Sequence, residues 1–191
     1  MKKIIVGISG KAESGKNSFA ELARKAEHNL IAFDFSFANE VKRLALELGW
    51  DGWKDEKGRA GLIWLGEGAR EHFNKDIWIK KLQQNMREII KQSDCIYGKD
   101  YAVFFVTDMR YENESEALWK FAKEVGAEYY SVRIERPNHE NKLTPEQREN
   151  PSETSLDGYM FDYSIINDGT YDDFRRKVRL VMDDIVIGNY L

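Results

Sequence analysis

A glycine-rich loop near the N-terminus, "GKAESGKN" at residues 10–17, constrains the fold more than any other stretch of this chain. It follows a β-branched run at 3–9 and precedes apolar residues at helical spacing. A loop between a strand and a helix turns backbone N–H groups inward at the positive end of the helix dipole, where they bind phosphate. Gly10 and Gly15 permit the turn, and Lys16 adds positive charge. The stretch predicts a phosphate-binding loop that opens an α/β fold.

The residue after the lysine departs from the usual pattern of such loops. Ser or Thr would offer a hydroxyl to Mg²⁺, whereas this chain has Asn17, and its serine comes one position later. An asparagine carbonyl can bind a hard cation or one of its waters, although more weakly. We therefore expect the loop to bind the phosphates of ATP and Asn17 to be a metal candidate. The expected loop contacts to ATP are Gly10, Lys11, Ala12, Glu13, Ser14, Gly15, Lys16, Asn17 and Ser18.

The remaining chain alternates between strand and helix patterns. A continuous apolar run at 101–110 suits a central parallel strand. Two amphipathic segments at 57–72 and 76–93 fall within a long excursion, 49–98, which we expect to form a small helical subdomain. The alternation predicts a parallel α/β sheet with helices on both faces. The other predicted strands are 30–36, 127–135 and 163–168, and the other predicted helices are 38–48, 112–125 and 170–186.

The composition suits a single domain without a strong charge preference. The chain has 191 residues, of which 42% are hydrophobic, so it can bury one good core. A net charge of −4 gives no global attraction to nucleic acid or to an anionic membrane. The N-terminal residues lack a long apolar segment, and we expect a cytoplasmic protein. The single cysteine, Cys95, excludes an intramolecular disulfide.

Two charged residues end the predicted central strand beside the loop. Asp108 stands where a carboxylate can hold Mg²⁺ through water, because ligands of open α/β sheets lie at the carboxyl ends of the strands. Arg110 points the same way and offers a bidentate fork for a phosphate. The alternative interpretation is a salt bridge between the two side chains.

The 49–98 excursion is rich in aromatic residues and carries arginines. Aromatic rings beside guanidinium groups suit a pocket that stacks a base and binds a 5′-phosphate. The alternative is that most of these tryptophans belong to the core. The residues concerned are Trp50, Trp53, Trp64, Trp78, Arg59 and Arg70.

Four stretches in order resemble the phage-type deoxynucleoside monophosphate kinases, which are related to nucleoside monophosphate kinases and dephospho-coenzyme A kinase. The loop "SGKAESGKNS" is similar to the family's SGKxxSGKD followed by Thr. "FSFANEVKRLA" (35–45) resembles a segment containing FADPLK, with Asn39 and Glu40 as departures. "VTDMRYENESEAL" (106–118) resembles TDVRFPNEAEAI, and "NPSETSLDGYMFDYSIINDGTYDDF" (150–174) resembles HxSE…D…NDGT. The resemblance spans the chain.

The resemblance implies a P-loop kinase three-layer sandwich with a five-stranded parallel sheet in the order 2-3-1-4-5. One domain, 1–191, would carry a helical nucleotide-binding insertion at 49–98 and a lid at 136–153. The implied reaction is ATP-dependent phosphorylation of a deoxynucleoside monophosphate, with Mg²⁺. The implied partner is that nucleotide, with no nucleic acid and no membrane, and a homodimer is left open.

The resemblance also assigns expected roles to residues. The catalytic residues would be Lys16, Asp108, Arg110, Arg136 and Arg148, with Asn17 and Asp108 on the metal. Asn167, Asp168 and Gly169 would border the adenine of ATP, although such a triplet is also an ordinary turn. Trp64 stands where the family has glutamine, which opens the question of base specificity. The acceptor would contact Asp34, Phe37, Lys42, Arg59, Trp64, Arg70, Arg110, Asn113, Glu114 and Glu153.

Three other functions fit parts of the pattern. Asp34 could act as a base if the acceptor were a hydroxyl, as in a kinase for dephospho-coenzyme A or a metabolite alcohol. "DEKG" (55–58) fits one motif of a GTP-dependent switch, but "NKDI" (74–77) and "NKLT" (141–144) do not complete the guanine motif. A DNA-linked ATPase would need a basic stripe, which the acidic balance does not supply.

Overall fold

A computed structural model gives the fold, and it describes residues 1–26, 29–137, 139 and 141–188. The predicted lid at 136–153 includes 138 and 140, which lie outside these residues. The strands are β1 (Lys2–Ser9), β2 (Leu30–Phe35), β3 (Tyr101–Met109), β4 (Glu128–Glu135) and β5 (Tyr163–Ile166). The helices are α1 (Lys16–Arg24), α2 (Ala38–Glu47), α3 (Glu56–His72), α4 (Ile77–Ser93), α5 (Glu112–Val125), α6 (Pro145–Arg148), α7 (Pro151–Thr154) and α8 (Tyr171–Ile187).

The five strands form one parallel sheet in the order β2-β3-β1-β4-β5, which confirms the predicted order. β1 lies at the centre between β3 and β4, and its residues Ile4, Ile5, Val6 and Ile8 are fully buried. Continuous apolar strands of this kind are typical of parallel sheets because helices cover both faces. The carboxyl ends of β1, β2 and β3 therefore meet at one edge, where the glycine loop leaves β1.

Helices cover the sheet on both faces and complete the predicted three-layer sandwich. α1 and α8 pack on one face through residues such as Phe19 and Phe174. α2, α4 and α5 pack on the other face, where Met86 and Phe121 are almost fully buried. Each face thus has its own apolar core. In the described part of the chain, no helix is both long and apolar enough to cross a membrane.

The long excursion between β2 and β3 divides into two helices with different surroundings. α4 buries a stripe of apolar residues against the sheet layer, whereas α3 buries only Ala69. α3 instead lies along the cleft at the carboxyl edge of the sheet, where Leu62, Ile63 and Arg70 line it. α3 therefore supplies most of the excursion's residues that could contact a ligand, together with Lys54 and Trp78.

The segment predicted as a lid, 136–153, contains the short helix α6 and most of α7. Thr144 caps α6 by accepting a hydrogen bond from the Gln147 N–H, and Asn150 caps α7 by accepting one from the Ser152 N–H. Each cap is followed by proline at the first helical position, where its missing N–H and fixed φ suit a helix start. Cap and proline together specify these helices.

The turn that leads into α3 depends on Gly58. Asp55 accepts a hydrogen bond from the Gly58 N–H at 2.7 Å, and a Cβ on Gly58 would overlap the Trp53 carbonyl oxygen and lie 2.7 Å from Trp50 Nε1. Gly58→Ala should lower the free energy of unfolding by about 1–3 kcal/mol, because backbone and indole must shift to admit the methyl group. Urea unfolding measures this change.

Gly61→Ala is the matched control on the same helix. No atom lies within 4 Å of a Cβ placed there, so the substitution should be neutral or stabilising by up to about 1 kcal/mol. Equal effects of the two alanine substitutions would contradict the described packing around Gly58.

Candidate active site

A cleft of about 790 Å³ opens at the carboxyl edge of the sheet, between the glycine loop and α3. A second cavity of about 410 Å³ lies on the other side of the loop. Glu13, Lys16 and Asn17 line both. The loop therefore borders both cavities. Such a position would allow it to contact two ligands, one in each cavity.

The glycine loop has the backbone geometry that its glycines predict. Gly10 and Gly15 have φ values of 152° and 111°, and Gly15 is the N-cap of α1. A Cβ on Gly10 would overlap the Ile134 carbonyl oxygen. Glu13 at the loop tip has φ of 61°. The loop thus sits tightly on β4 with its N–H groups at the helix start.

The Lys16 ammonium group is held by the loop itself. Its Nζ donates to the carbonyl oxygens of Gly10, at 2.6 Å, and Lys11, at 2.7 Å. Burial, together with the charge of Arg110, lowers the pKa of Lys16 to about 8. A bound phosphate would favour the charged amine, so Lys16 is placed to exchange backbone acceptors for phosphate oxygens.

We expect the affinity for ATP to fall as the pH rises through about 8. The Lys16 amine loses its proton there, and ATP binding must restore it. Between about pH 7 and about pH 9 the dissociation constant should rise about tenfold. Calorimetric titration with Mg-ATP measures this. Lys11→Ala should keep the same profile because its Nζ pairs with Asp157, and a flat profile in the unsubstituted protein would contradict the role of Lys16.

Arg110 and Glu153 join the loop to the rest of the cleft. The Glu153 carboxylate accepts a hydrogen bond from the Ala12 N–H at 2.9 Å and pairs with the Arg110 guanidinium. Arg110 also donates to the Ser152 carbonyl oxygen at 2.7 Å. Only 7% of the Glu153 side chain is exposed, so this ion pair lies largely inside the protein. Arg110 thus pairs with Glu153 and not with Asp108, the partner in the salt-bridge alternative.

Asp108 caps the start of α2. Its carboxylate accepts hydrogen bonds from the Ser36 hydroxyl at 2.6 Å, the Phe37 N–H at 2.8 Å and the Ala38 N–H at 2.9 Å. The sequence-based prediction gave Asp108 a metal role without anticipating this cap. The carboxylate still lines the cleft, and it organises the turn after β2.

Three side chains of the cleft lining carry oxygen atoms of the kind that could hold a magnesium ion. Asn17, Ser36 and Asp108 line the same cleft with an amide, a hydroxyl and a carboxylate, the hard donors that Mg²⁺ prefers. Mg²⁺ commonly keeps several waters and takes further ligands from nucleotide phosphates. Among the described residues, no group of three or more His, Cys, Asp or Glu could hold a metal ion.

Glu114 and Arg70 tie α3 to the end of β3. Glu114 is buried, and it accepts hydrogen bonds from Arg70 Nη2 at 2.5 Å and from the Arg110 N–H at 2.7 Å. Burial raises the pKa of Glu114 although Arg70 opposes it. The Arg70 guanidinium also lies over the Tyr111 ring, 4.4 Å from its centroid. Both predicted residues reach the cleft, but they bond to each other.

Three cations line the same cleft as the glycine loop. Lys42, Lys54 and Arg59 line it, and within the described residues neither lysine has an ion pair. Burial, with the charges of Lys42 and Arg59, lowers the pKa of Lys54. Arg59 lies 3.9 Å from a Glu13 oxygen. Cations that repel one another in this way attract an anionic ligand.

The second cavity lies beside the predicted adenine-binding turn. Asn167 donates to the Ser14 carbonyl oxygen at 3.0 Å and so joins the turn to the loop. Arg136 lines the cavity and donates to the Glu13 carbonyl oxygen at 3.4 Å. The other lining residues include Ser18, Gly169, Tyr171 and Phe174. Asp168 pairs instead with Lys177 at 2.9 Å.

Some predicted residues lie outside the cleft lining. Trp64 is 73% exposed and does not line the cleft. Asn113 donates to an Asp76 oxygen at 3.0 Å. Arg148 donates to the Asn141 carbonyl oxygen at 3.1 Å.

Asp34, Phe37 and Lys42 do line the cleft, and the Asp34 carboxylate pairs with Arg24. Their predicted contacts with the acceptor stay predictions.

The cleft residues that sequence analysis did not single out include Lys54, Glu67 and Tyr111. Glu67 lies three residues before Arg70 on α3, so helical spacing alone could have placed it on the same face. Lys54 gave no such signal, because it lies in the turn before α3 and its direction depends on how that turn folds.

Comparisons with known proteins bear on the fold. No protein-family model and no curated protein matches the chain. A tunicamycin resistance protein from Deinococcus radiodurans is similar over 100% of this chain and 97% of its own, with 15% identity and a TM-score of 0.51. Two kinases are among the other solved structures that the chain resembles. APS kinase from Mycobacterium tuberculosis, solved with AMPPNP and APS, has 15% identity over 95% of this chain and 97% of its own, with a TM-score of 0.49. Shikimate kinase from Aquifex aeolicus vf5 has 13% identity over 97% and 99%, with a TM-score of 0.48.

The sheet order and the loop geometry identify the fold. A five-stranded parallel sheet in the order β2-β3-β1-β4-β5, with a glycine loop between β1 and α1 and helices on both faces, matches the P-loop kinase fold. The full-length likeness to the Deinococcus protein agrees with this architecture. The chain therefore has the α/β fold of the P-loop kinases.

Proposed function

We propose that this protein transfers the γ-phosphoryl group of ATP to the 5′-phosphate of a deoxynucleoside monophosphate, forming the diphosphate. The observation that carries the proposal is the charge arrangement of the cleft. The carboxylates beside the glycine loop are bonded to protein donors, whereas Lys42 and Lys54 line the same cleft without an ion pair among the described residues. Such a cleft receives an anionic acceptor and does not need to deprotonate it.

A hydroxyl acceptor would need a general base, but a phosphate is already nucleophilic at neutral pH. The base named for a hydroxyl acceptor, Asp34, pairs with Arg24, and of the carboxylates near the glycine loop Asp108 caps α2 and Glu153 pairs with Arg110. Each is committed to a cation or to backbone donors. This favours a phosphate acceptor over the hydroxyl acceptor for which Asp34 would be the base.

The deoxynucleotide part of the proposal is supported by the sequence resemblance and by the walls of the cleft. Tyr111 and Trp78 line its far side together with Leu62 and Ile63, which suits an aromatic base. Lys42, Lys54 and Arg59 line the cleft close to one another, with Arg59 3.9 Å from Glu13 of the loop, which suits the phosphate. A nucleoside monophosphate carries both groups, an aromatic base at one end and a phosphate at the other.

The residues of the chain act mainly by positioning and charge neutralisation. Lys16 and the loop N–H groups hold the phosphates of ATP, and Arg110 holds the transferring group against the acceptor. Mg²⁺, held by Asn17 and Asp108 with the nucleotide, would neutralise charge on the phosphates. α3 borders the cleft together with Leu143, Gln147 and Ser152 of the predicted lid, and these elements exclude water when both substrates are bound.

The test is an assay of ADP release with one acceptor at a time. The panel contains the four deoxynucleoside monophosphates, the matching ribonucleotides, the unphosphorylated deoxynucleosides and dephospho-coenzyme A. We expect ADP release with deoxynucleoside monophosphates and none with the deoxynucleosides. Release with dephospho-coenzyme A alone, or with deoxynucleosides, would show that the acceptor is a hydroxyl.

A further inference from the structure

Glu67 carries a buried carboxylate oxygen without a hydrogen-bond partner. Its Oε1 is one of two side-chain atoms in the described residues that combine burial with the lack of any partner, and the other is the Ser14 hydroxyl. Glu67 lines the cleft on α3. A buried acceptor left unsatisfied costs about 1–3 kcal/mol. Such a group in a binding cleft indicates that the ligand supplies the missing donor.

The surroundings of Glu67 are those of a base-binding pocket. Ile63 and Trp78 line the same part of the cleft. Tyr111 lines the cleft with Glu67, and burial raises the pKa of its phenol, to which the Glu67 charge adds while Arg70 opposes it. The nearest arginine on α3, Arg70, bonds to Glu114. The Glu67 carboxylate thus has flat and apolar neighbours and no ion pair in the described structure.

The opposite polarity of the two ends of the cleft orients a ligand. Lys42, Lys54 and Arg59 line its cationic wall, and the Glu67 carboxylate lies among the apolar and aromatic lining residues. A nucleotide bound with its phosphate at the cations directs its base toward that lining. The base edge that reaches the carboxylate must donate hydrogen bonds, because an ionised carboxylate only accepts them.

The four bases differ in the hydrogen-bond donors that they offer to a carboxylate. Guanine presents two adjacent donors, N1–H and N2–H, which match the two oxygens of a carboxylate. Adenine and cytosine each present one amino group beside a ring acceptor, and thymine presents N3–H between two carbonyl oxygens. A carboxylate therefore pairs with guanine through two bonds and is repelled by the carbonyl groups of thymine.

We propose that Glu67 reads the base of the acceptor nucleotide and selects guanine. This inference rests on the proposed function and adds the specificity of the acceptor site. It also answers the question that Trp64 raised, because Trp64 is exposed outside the cleft while Glu67 lines it.

The experiment compares kcat/KM for the four deoxynucleoside monophosphates in three proteins: unsubstituted, Glu67→Gln and Glu71→Gln. Glu71 lies on the same helix with 76% of its side chain exposed, so its substitution makes the same charge change outside the cleft. We expect the unsubstituted protein to prefer dGMP to dTMP by at least about tenfold, because hydrogen bonds to charged groups are worth about 1.5–3 kcal/mol. Glu71→Gln should keep this ratio.

Glu67→Gln should lower the dGMP to dTMP ratio by about 10–100-fold, because the amide replaces one acceptor with a donor. Its thermal midpoint should be unchanged or higher, since an unsatisfied buried carboxylate is removed. A residue with a purely structural role would show the reverse, with lower stability and an unchanged ratio.

The outcomes separate the two proposals. Turnover of several deoxynucleoside monophosphates without preference for dGMP, or with the same preference after Glu67→Gln, overturns the role of Glu67 and leaves the proposed function standing. No turnover with any of the four overturns both. A preference for dGMP that is lost in Glu67→Gln and kept in Glu71→Gln supports both the proposed function and the role of Glu67.

Discussion

Replacing Lys16 with alanine is expected to lower kcat/KM for ATP-dependent turnover by more than about 10³-fold. The Nζ of Lys16 is held between the carbonyl oxygens of Gly10 and Lys11, so it is already placed over the loop that would receive the phosphates. Without it, the developing charge on the transferring group loses its nearest fixed cation. The coupled release of ADP measures the loss.

Lys11→Ala provides the control for Lys16→Ala. Lys11 belongs to the same loop, but its side chain is 51% exposed and its Nζ pairs with Asp157 at 3.1 Å. We expect Lys11→Ala to keep activity within a few fold, as exposed pairs contribute about 0–1 kcal/mol. Retained turnover in Lys16→Ala would contradict the assignment of the glycine loop as the phosphate site.

Arg110→Ala should lower kcat by about 10²–10³-fold, because the fork that would hold the transferring phosphoryl group is lost. The same substitution leaves the Glu153 carboxylate buried without its cation. We therefore expect the free energy of unfolding to fall by about 1–3 kcal/mol as well. Steady-state kinetics and urea unfolding measure the two effects separately.

The double substitution Arg110→Ala with Glu153→Gln distinguishes catalysis from folding. A neutral amide no longer needs the arginine, and its oxygen can still accept the Ala12 N–H, so stability should return. Activity should not return, since the phosphate ligand is still missing. Recovery of turnover in the double variant would mean that Arg110 acts only by supporting the structure.

Most of the fold could be predicted from the sequence, because apolar runs indicate buried strands and helices and glycine positions indicate turns. The β3 run was recognisable from its apolar residues on both faces, and α5 and β1 lie within one residue of their predicted bounds. The short helices α6 and α7 were not predicted, because four-residue helices have no periodicity and depend on a cap and a proline. The strand order came from the family resemblance.

The candidate site was predictable where a motif fixes the backbone and less so elsewhere. The glycine loop lies where the spacing of Gly10 and Gly15 required. Glu67 could not be recognised as unsatisfied from sequence, because that property depends on Arg70 bonding to Glu114 across the cleft. Trp64 shows the opposite difficulty, since an aromatic residue near the predicted pocket can face solvent when its helix buries little.

The central claim is that the acceptor atom is a phosphate oxygen, and phosphorus NMR of the products tests it most directly. The protein is incubated with Mg-ATP and dGMP, and the phosphorus spectrum is followed as ATP is consumed. The account predicts a new deoxynucleoside diphosphate with two mutually coupled phosphorus resonances, formed in step with ADP. A new monophosphate ester on a sugar hydroxyl, with the 5′-phosphate resonance uncoupled, would contradict it.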